Sequence, residues 1–168
     1  MSSFFSHCIS PETILRGTDA WNNAIELIPS ISSRPLFLGR SASTLCLRKG
    51  LVNDLKGIGL NPVFAELEYD CCEYDLDILE ALAIENSCNG VIAAGGGKVL
   101  DAGKLLAHRL RIPSITVPLS AATCAGWTAL ANIYSPDGSF LRDEVLLRCP
   151  TLMIFDHGIV RSAPSRSL

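Results

Sequence analysis

The stretch "GVIAAGGGKVLDAGK", residues 90–104, decides the fold of this chain. An apolar run of strand length meets three consecutive glycines, and a segment of helical character follows at once. This pattern is typical of a buried strand and its following helix in a parallel α/β sheet. The free N–H groups in the first turn of such a helix attract anions, because the positive end of the helix dipole lies behind them. The stretch therefore predicts a phosphate site at the end of a strand.

Strands and helices alternate along most of the chain. The segments that predict strands are 34–39, 61–67, 90–94 and 112–118, and those that predict helices are 41–59, 74–90 and 98–110. After residue 118 a loop of small residues leads into a predicted strand, a turn at "SPDG", a hairpin with a last strand ending near residue 156, and the start of a helix. Short loops between alternating elements indicate helices on both faces of a parallel sheet. We predict an α/β fold, a Rossmann-like doubly wound and mostly parallel sheet.

Composition narrows the class of protein. The chain has 168 residues, 48% of them hydrophobic and 18% charged, which fits one compact domain with a sizeable core. The net charge of −3 argues against a nucleic-acid surface and against polybasic binding to a membrane. The sequence contains neither a membrane-spanning apolar run nor a secretory signal, so we expect a cytoplasmic protein.

The cysteines and histidines do not predict a metal site. The seven cysteines stand at positions 8, 46, 71, 72, 88, 124 and 149, without a C-x-x-C pair, and the three histidines at 7, 108 and 157. This spacing matches neither a zinc site nor a disulfide framework. We expect most of the cysteines to be small buried hydrophobes in a reducing compartment.

The three glycines, Gly95, Gly96 and Gly97, have two explanations. They could let the backbone turn with positive φ and approach a ligand closely, or they could serve a tight strand-to-helix turn that binds nothing. Lys98 either adds charge for a phosphate or faces solvent. Asp101, which we place in the first helical turn, either takes part in the site or is a favourable charge near the helix N-terminus. Neither G-x-G-x-x-G nor the P-loop motif fits.

Several motifs in one order resemble a known family. "GGGKVLDAGK", at residues 95–104, and "IPSITVPLSAATCAGWTALANIYSPDG", at 112–138, are similar to the iron-containing (group III) alcohol dehydrogenase superfamily, and within it to glycerol dehydrogenases. The likeness extends back to "ISPETILRGTDAW" and forward to "PTLMIFDHGIVRSAPSRSL", so it covers nearly the whole chain. It implies a dehydroquinate synthase-like N-terminal domain that binds a dinucleotide, followed by a helical domain that holds a divalent metal.

The resemblance also implies the contacts of a bound NAD or NADP. The glycines and Lys98 would lie against the pyrophosphate with Asp101 beneath them, and the loop after the next strand would touch the cofactor through Leu119 and Ala122. The residues that would line the nicotinamide side are Thr128, Leu130 and Tyr134. The alternative for these three is a strand whose residues alternate between a buried and an exposed face.

Departures from the family pattern bear on specificity. Leu119 and Ala122 replace the family's threonine and serine, and Cys124 replaces the aspartate that glycerol dehydrogenases place by the substrate. The substrate implied is therefore a bulkier or more apolar alcohol or aldehyde than glycerol; a reactive thiol is a weaker alternative for Cys124. Arg40 falls at or next to the place of an aspartate that holds the adenosine ribose, which favours NADP over NAD, unless Arg40 is simply a solvated loop residue.

The resemblance sets the expected domain organisation. Residues 1–163 would form the dinucleotide-binding domain, and residues 164–168 would start the link to a helical domain with the family's metal ligands. The parent protein would be a metal-dependent, NAD(P)-linked alcohol or polyol dehydrogenase and a homo-oligomer, with Zn or Fe as a Lewis acid and the nicotinamide accepting hydride. No catalytic residue or metal ligand is predicted in this chain, which we expect to be inactive alone.

Three alternatives remain open at this stage. The chain could be a standalone nucleotide-binding module without catalysis. It could be a relative that acts on glycerol phosphate or performs the dehydroquinate synthase reaction, although residues 119–127 lack the basic side chains which those substrates need. The apolar segment 151–156 could also be exposed for lack of a packing partner and make the chain associate.

Overall fold

The computed structural model describes residues 9–162. The strands are β1 (Thr13–Gly17), β2 (Pro35–Gly39), β3 (Val63–Glu66), β4 (Gly90–Gly95), β5 (Ser114–Pro118), β6 (Leu130–Tyr134), β7 (Phe140–Val145) and β8 (Leu152–Asp156). The α-helices are α1 (Ala20–Ala24), α2 (Ile28–Ile31), α3 (Leu45–Gly57), α4 (Glu73–Glu85), α5 (Gly97–Leu110) and α6 (His157–Arg161). A 3₁₀ turn, Ala42–Thr44, precedes α3. The alternation predicted from the sequence is confirmed.

Six strands form one parallel sheet in the order β1-β8-β5-β4-β2-β3. The first and last strands of the described chain are neighbours, with Thr13 opposite Leu152 and Gly17 opposite Asp156. Strands β6 and β7 form a separate antiparallel hairpin whose register shifts at Tyr134. The prediction of a Rossmann-like parallel sheet is therefore confirmed, and the hairpin is the antiparallel part.

The sheet is buried on both faces, as its apolar strands require. On one face Leu36 and Leu38 of β2 pack with α4 and α5, while Phe37 on the other face packs with α1 and α3. Every residue of β2 and β4 is buried. Gly103 lets α5 approach the sheet, since a Cβ at this position would lie 2.4 Å from the Cβ of Ala93.

The apolar segment near the C-terminus lies inside the sheet. Leu152, Met153 and Ile154 are fully buried because β8 pairs with β1 on one side and with β5 on the other. The possibility that the segment 151–156 is exposed is therefore wrong. The predicted domain boundary at residues 163 and 164 falls outside the described residues.

Local sequence signals explain the helix ends. The helix α3 ends at Gly57 and is followed by Gly59 at φ +86°, a conformation that favours glycine. Glu73 and Asp75 lie in the first turn of α4, where the helix dipole favours acidic residues. Asp156 caps α6, because its carboxylate accepts hydrogen bonds from the next turn's N–H groups. Within residues 9–162, no helix is both long and apolar enough to cross a membrane.

Candidate functional site

The glycines at the junction of β4 and α5 differ in how closely they are packed. None of them has a positive φ, so the explanation by a left-handed turn does not hold. A Cβ on Gly95 would lie 2.6 Å from the Cβ of Val99, and one on Gly97 would lie 3.0 Å from Oγ1 of Thr123. Gly96 caps the helix in an extended conformation, and a Cβ there would meet nothing within 4 Å. The backbone is therefore enclosed at Gly95 and open at Gly96.

A cavity of about 360 Å³ opens beside this turn at the carboxyl edge of the sheet. Ligands bind at this edge in open α/β sheets. The residues that line it are Gly97, Lys98, Asp101, Ala122, Thr123, Cys124, Ala125, Thr128, Leu130, Asn132 and Tyr134. Most residues that the resemblance assigned to the cofactor are thus brought together.

Four predicted residues do not line this cavity. Gly95 is buried within β4 and Gly96 lies open at the helix start. Arg40 lies outside the cavity, where it pairs with Asp70. Leu119 is only 2% exposed and its side chain packs in the core, so a contact of this residue with the cofactor would come from its backbone. Its backbone N–H donates to the carbonyl of Gly95 at 2.9 Å, and this bond ties the two loops together.

Asp101 forms a buried ion pair with Lys104. The carboxylate Oδ1 lies 3.0 Å from the ammonium Nζ, and the Lys104 side chain is 1% exposed. Asp101 is the fifth residue of α5, and the first turn contains no acidic residue, so our placement of Asp101 there is wrong. Burial raises the pKa of Asp101 and lowers the pKa of Lys104, because it disfavours both charged forms more than their mutual attraction favours them.

The same pair holds β6 against α5. Lys104 donates to the carbonyl oxygens of Thr128, at 3.1 Å, and Leu130. Oδ2 of Asp101 accepts from the backbone N–H of Asn132 at 3.2 Å. Oδ1 faces Lys104 but accepts no hydrogen bond of good geometry within the described residues. The Lys104 ammonium is therefore the partner of this buried oxygen.

A second charged cluster lies at the rim of the site. The carboxylate of Asp70, in the loop after β3, forms ion pairs with Arg40, which follows β2, and with Lys98 in the first turn of α5. The ammonium of Lys98 also lies 4.5 Å from the centre of the Tyr134 ring. Arg40 and Lys98 are therefore both held in ion pairs, although each side chain is partly exposed.

The hairpin supplies the far wall of the cavity. Along β6, Ala131 and Ile133 are buried, while Leu130, Asn132 and Tyr134 face the cavity. The strand does alternate, and its less buried face is the one that lines the site.

Two contacts hold the loop before β6 against the parallel sheet. Oγ1 of Thr116 donates to the carbonyl of Gly126 at 2.8 Å, and the ring of Trp127 contacts that of Phe155. Cys124 is exposed on this loop.

Five residues of the site were not predicted from the sequence: Asp70, Lys104, Thr123, Ala125 and Asn132. The spacing of Asp101 and Lys104, one helical turn apart, was the available signal for the buried pair. The period of two along β6 would have placed Asn132 beside Leu130 and Tyr134. No sequence signal marks Asp70, because its partners come from two other strands.

The described residues do not fit a metal. Within residues 9–162 no group of three or more histidine, cysteine, aspartate or glutamate side chains is placed to hold an ion. His108 lies in the last turn of α5 and His157 begins α6, and His7 is outside the described residues. Of the six cysteines described, Cys71 has a pKa raised to about 12 by burial, which makes its thiol inert at neutral pH.

The fold and the site define the chain as a Rossmann-like α/β domain with a polar cavity at the carboxyl edge of its sheet. The model of the iron-containing alcohol dehydrogenase family matches residues 11–157, and the chain belongs to this family. An uncharacterized oxidoreductase of Synechocystis sp. is 39% identical over 163 residues, and a glycerol dehydrogenase of Escherichia coli is 31% identical over 159 residues. These alignments cover 97% and 95% of this chain, but 42% and 43% of the relatives.

Solved structures agree with the fold. A probable glycerol dehydrogenase from Sinorhizobium meliloti matches with a TM-score of 0.84 at 22% identity, covering 96% of this chain and 44% of its own. Glycerol dehydrogenase from Schizosaccharomyces pombe matches with a TM-score of 0.84 at 23% identity, covering 98% and 42%. The chain thus spans less than half the length of the relatives it matches.

Proposed function

We propose that this chain is the dinucleotide-binding domain of a metal-dependent, NAD(P)-linked alcohol or polyol dehydrogenase. The observation that carries the proposal is the cavity beside the 14-residue helix α5, where the family's cofactor motifs converge at the carboxyl edge of a parallel sheet. A standalone nucleotide-binding module is the alternative, and it differs in predicting binding without turnover of any alcohol.

The chain's own residues would bind and orient the cofactor. The backbone is open at Gly96, so the N–H groups at the start of α5 would face the pyrophosphate, and Lys98 adds a positive charge. Asp101 would lie beneath them, paired with Lys104. Leu130 and Tyr134 would form the wall on the nicotinamide side. We assign no acid, base or metal ligand to this chain.

Metal dependence belongs to the proposal for the whole protein. The family is named for iron, and Zn or Fe remains the ion that we expect. The described residues do not fit a metal. The binding of the cofactor that we propose therefore uses no metal ion.

The proposed substrate is a small alcohol or aldehyde that is bulkier or more apolar than glycerol. Cys124 is exposed on the cavity lining, at the position which the resemblance gives to a substrate-side aspartate. A thiol cannot provide the charged acceptor which a polyol's hydroxyl groups would use. A panel of alcohols assayed with the whole protein tests this, and a clear preference for glycerol would contradict it.

Arg40 is proposed as a contact for the 2′-phosphate of NADP, which would give a slight preference for NADP over NAD. A guanidinium can bind a phosphate bidentately, and the Arg40 side chain is 40% exposed. Parallel titrations with both cofactors test this, and equal or tighter binding of NAD would contradict it.

The proposal is tested by titrating the protein with NADH and NADPH and following nicotinamide fluorescence. Replacing Gly96 by Val should weaken binding of both at least ~10-fold, because the side chain would occupy the space next to the proposed pyrophosphate. Gly50→Ala is the matched control, since Gly50 lies on α3 with nothing within 4 Å of its would-be Cβ. No binding by the unaltered protein would refute the proposal.

We also propose a homo-oligomer in the cytoplasm. Phe140, Leu141 and Val145 of β7 are more than half exposed, and β7 has a free edge within the described sheet. Apolar residues on an unpaired edge favour contact with another chain. None of the six described cysteines forms a disulfide bond, which suits a reducing compartment. Sedimentation of the protein and of Leu141→Asp tests the oligomer; an unaltered monomeric protein would contradict it.

A further inference from the structure

Three neighbouring strands each deliver one charged residue to the same point. Asp70 follows β3, Arg40 follows β2 and Lys98 opens the helix after β4, and these strands are adjacent in the sheet. Arg40 pairs with one carboxylate oxygen of Asp70 and Lys98 with the other. A single acid therefore holds both cations to which the proposed function gives phosphate contacts.

Asp70 is fixed where it stands. Its side chain is only 10% exposed, whereas those of Arg40 and Lys98 are about two-fifths exposed. The N–H of Tyr134 donates to the carbonyl of Cys71 at 2.8 Å, which anchors the Asp70 loop to β6. The backbone beside Asp70 is therefore anchored, and its carboxylate lies between the two cations, where its charge acts on whatever binds beside them.

The loop that carries Arg40 is fixed as well. The guanidinium of Arg48, fully buried on α3, donates to the carbonyl of Ser41 at 2.8 Å and to Oγ1 of Thr44 at 3.1 Å. Arg48 also pairs with Glu66 at 2.6 Å. Arg40 therefore meets a ligand from a fixed backbone, and its ion pair within the described residues is with Asp70.

We propose that Asp70 sets the selectivity between NADP and NAD by offsetting the charge of Arg40. This inference rests on the proposed function, that the site takes a dinucleotide. NADP differs from NAD only by a phosphate on the adenosine ribose. Both cofactors carry the pyrophosphate beside Lys98, so Asp70 acts on that part of NAD and NADP alike. Only NADP adds a phosphate near Arg40, which is attracted by the guanidinium and repelled by the adjacent carboxylate. Asp70 thus keeps the advantage of NADP small, and the site accepts both cofactors.

The test measures the Kd of NADPH and of NADH for the unaltered protein and for Asp70→Asn. We expect the ratio of the Kd of NADH to that of NADPH to rise about tenfold, the size of one partly screened charge contact, because both cofactors gain at the pyrophosphate beside Lys98 and only NADPH gains at Arg40. The double variant Arg40→Gln with Asp70→Asn should lose this rise in the ratio, because the attracting charge is then absent.

Glu68→Gln is the matched control. Glu68 is exposed in the same loop and forms no ion pair with Arg40 or Lys98 within the described residues, so its removal tests charge loss alone. The ratio of the Kd of NADH to that of NADPH should change less than about twofold in this variant. If Asp70→Asn does not fold, as judged by circular dichroism, Asp70→Ser removes the same charge with a smaller side chain and is evaluated identically.

Each result either supports or overturns the proposal. An unchanged or lower ratio of the Kd of NADH to that of NADPH in Asp70→Asn would overturn it, because it would mean that Asp70 positions Arg40 for the phosphate or acts on both cofactors alike. An equal rise of the ratio in Glu68→Gln would overturn it too, since any nearby acid would then have the same effect. Failure of the unaltered protein to bind either cofactor would instead refute the proposed function.

Discussion

Two charged clusters lie on the same helix, six residues apart, and they differ in their contact with water. Lys104 is 1% exposed and pairs with Asp101 between α5 and β6, while Lys98 is 42% exposed and pairs with Asp70 at the rim. The inner pair lies between two elements of the fold, and the outer cluster faces the open edge of the sheet.

The difference teaches which charges serve the fold and which serve a ligand. The inner lysine has used its donors on Asp101 and on two backbone carbonyls, so it holds the hairpin in place and has little left for a bound molecule. The outer lysine shares one carboxylate with Arg40 and keeps much of its surface in water. A buried pair is costly to break, whereas an exposed pair contributes little to stability and stays available.

The largest effect should come from breaking the inner pair. Lys104→Met leaves the Asp101 carboxylate buried and uncompensated, which should lower the free energy of unfolding by about 3–5 kcal/mol. Urea unfolding followed by circular dichroism measures this. Lys49→Met, at an exposed position on α3, is the control and should change the free energy of unfolding by less than about 0.5 kcal/mol.

Replacing both members of the inner pair sharpens this prediction. Asp101→Leu combined with Lys104→Met should recover most of the lost stability, because the desolvation cost of both charges disappears together. If the double variant is as unstable as the single one, the pair does more than neutralise charge, and the comparison with the outer cluster fails.

Substitutions at two adjacent glycines, one enclosed and one open, should differ in their effect on stability. Gly95→Ala places a Cβ 2.6 Å from the Cβ of Val99, and such overpacking should cost about 1–3 kcal/mol. Gly96→Ala meets open space and should stay within about 0.5 kcal/mol of the unaltered protein. Thermal unfolding of the two variants side by side checks this; equal losses would show that the turn is not enclosed on one side only.

Removing a charge from the outer cluster should change the affinity for the cofactor more than the free energy of unfolding. Lys98→Ala should lower the free energy of unfolding by less than about 1 kcal/mol, because the pair is partly exposed and Arg40 still compensates Asp70. The Kd of NADH should rise about tenfold, as expected when one charge-assisted contact is lost. A large loss of stability with unchanged Kd would reverse the roles that we assign to the two lysines.

The smallest effect concerns a third cluster, where Arg109 and Arg142 both pair with Glu73. The hydrogen bond from Arg109 is the main cause that lowers the pKa of Glu73 in the folded protein. This contribution to stability is therefore present above the unfolded pKa of about 4.3 and is lost as the pH falls through the lower folded value. Since the carboxylate is partly exposed, Glu73→Gln should cost under about 1 kcal/mol at pH 7 and nothing near pH 2. An equal cost at both pH values in urea unfolding would contradict it.

The site shows how far local sequence reasoning reaches. The turn after β4, the helix α5 and the motif residues that line the cavity follow from segments of a dozen residues, whose periodicity and family likeness are local. The packing of the Leu119 side chain in the core depends on contacts that its own segment does not reveal. Of the two explanations for the glycines, positive φ does not hold; Val99 crowds Gly95 and Thr123 crowds Gly97, and these contacts exist only in the folded chain.

By itself, the sequence determined the alternation of strands and helices, the parallel sheet and the position of the glycine turn, since apolar period and turn residues act over short distances. Only the tertiary structure decided that β1 pairs with β8, that the apolar segment 151–156 is buried, and that Asp70 holds both Arg40 and Lys98. Those contacts join residues that are far apart in the chain. Their energies depend on burial and on distances between side chains, which exist only once the strands have assembled.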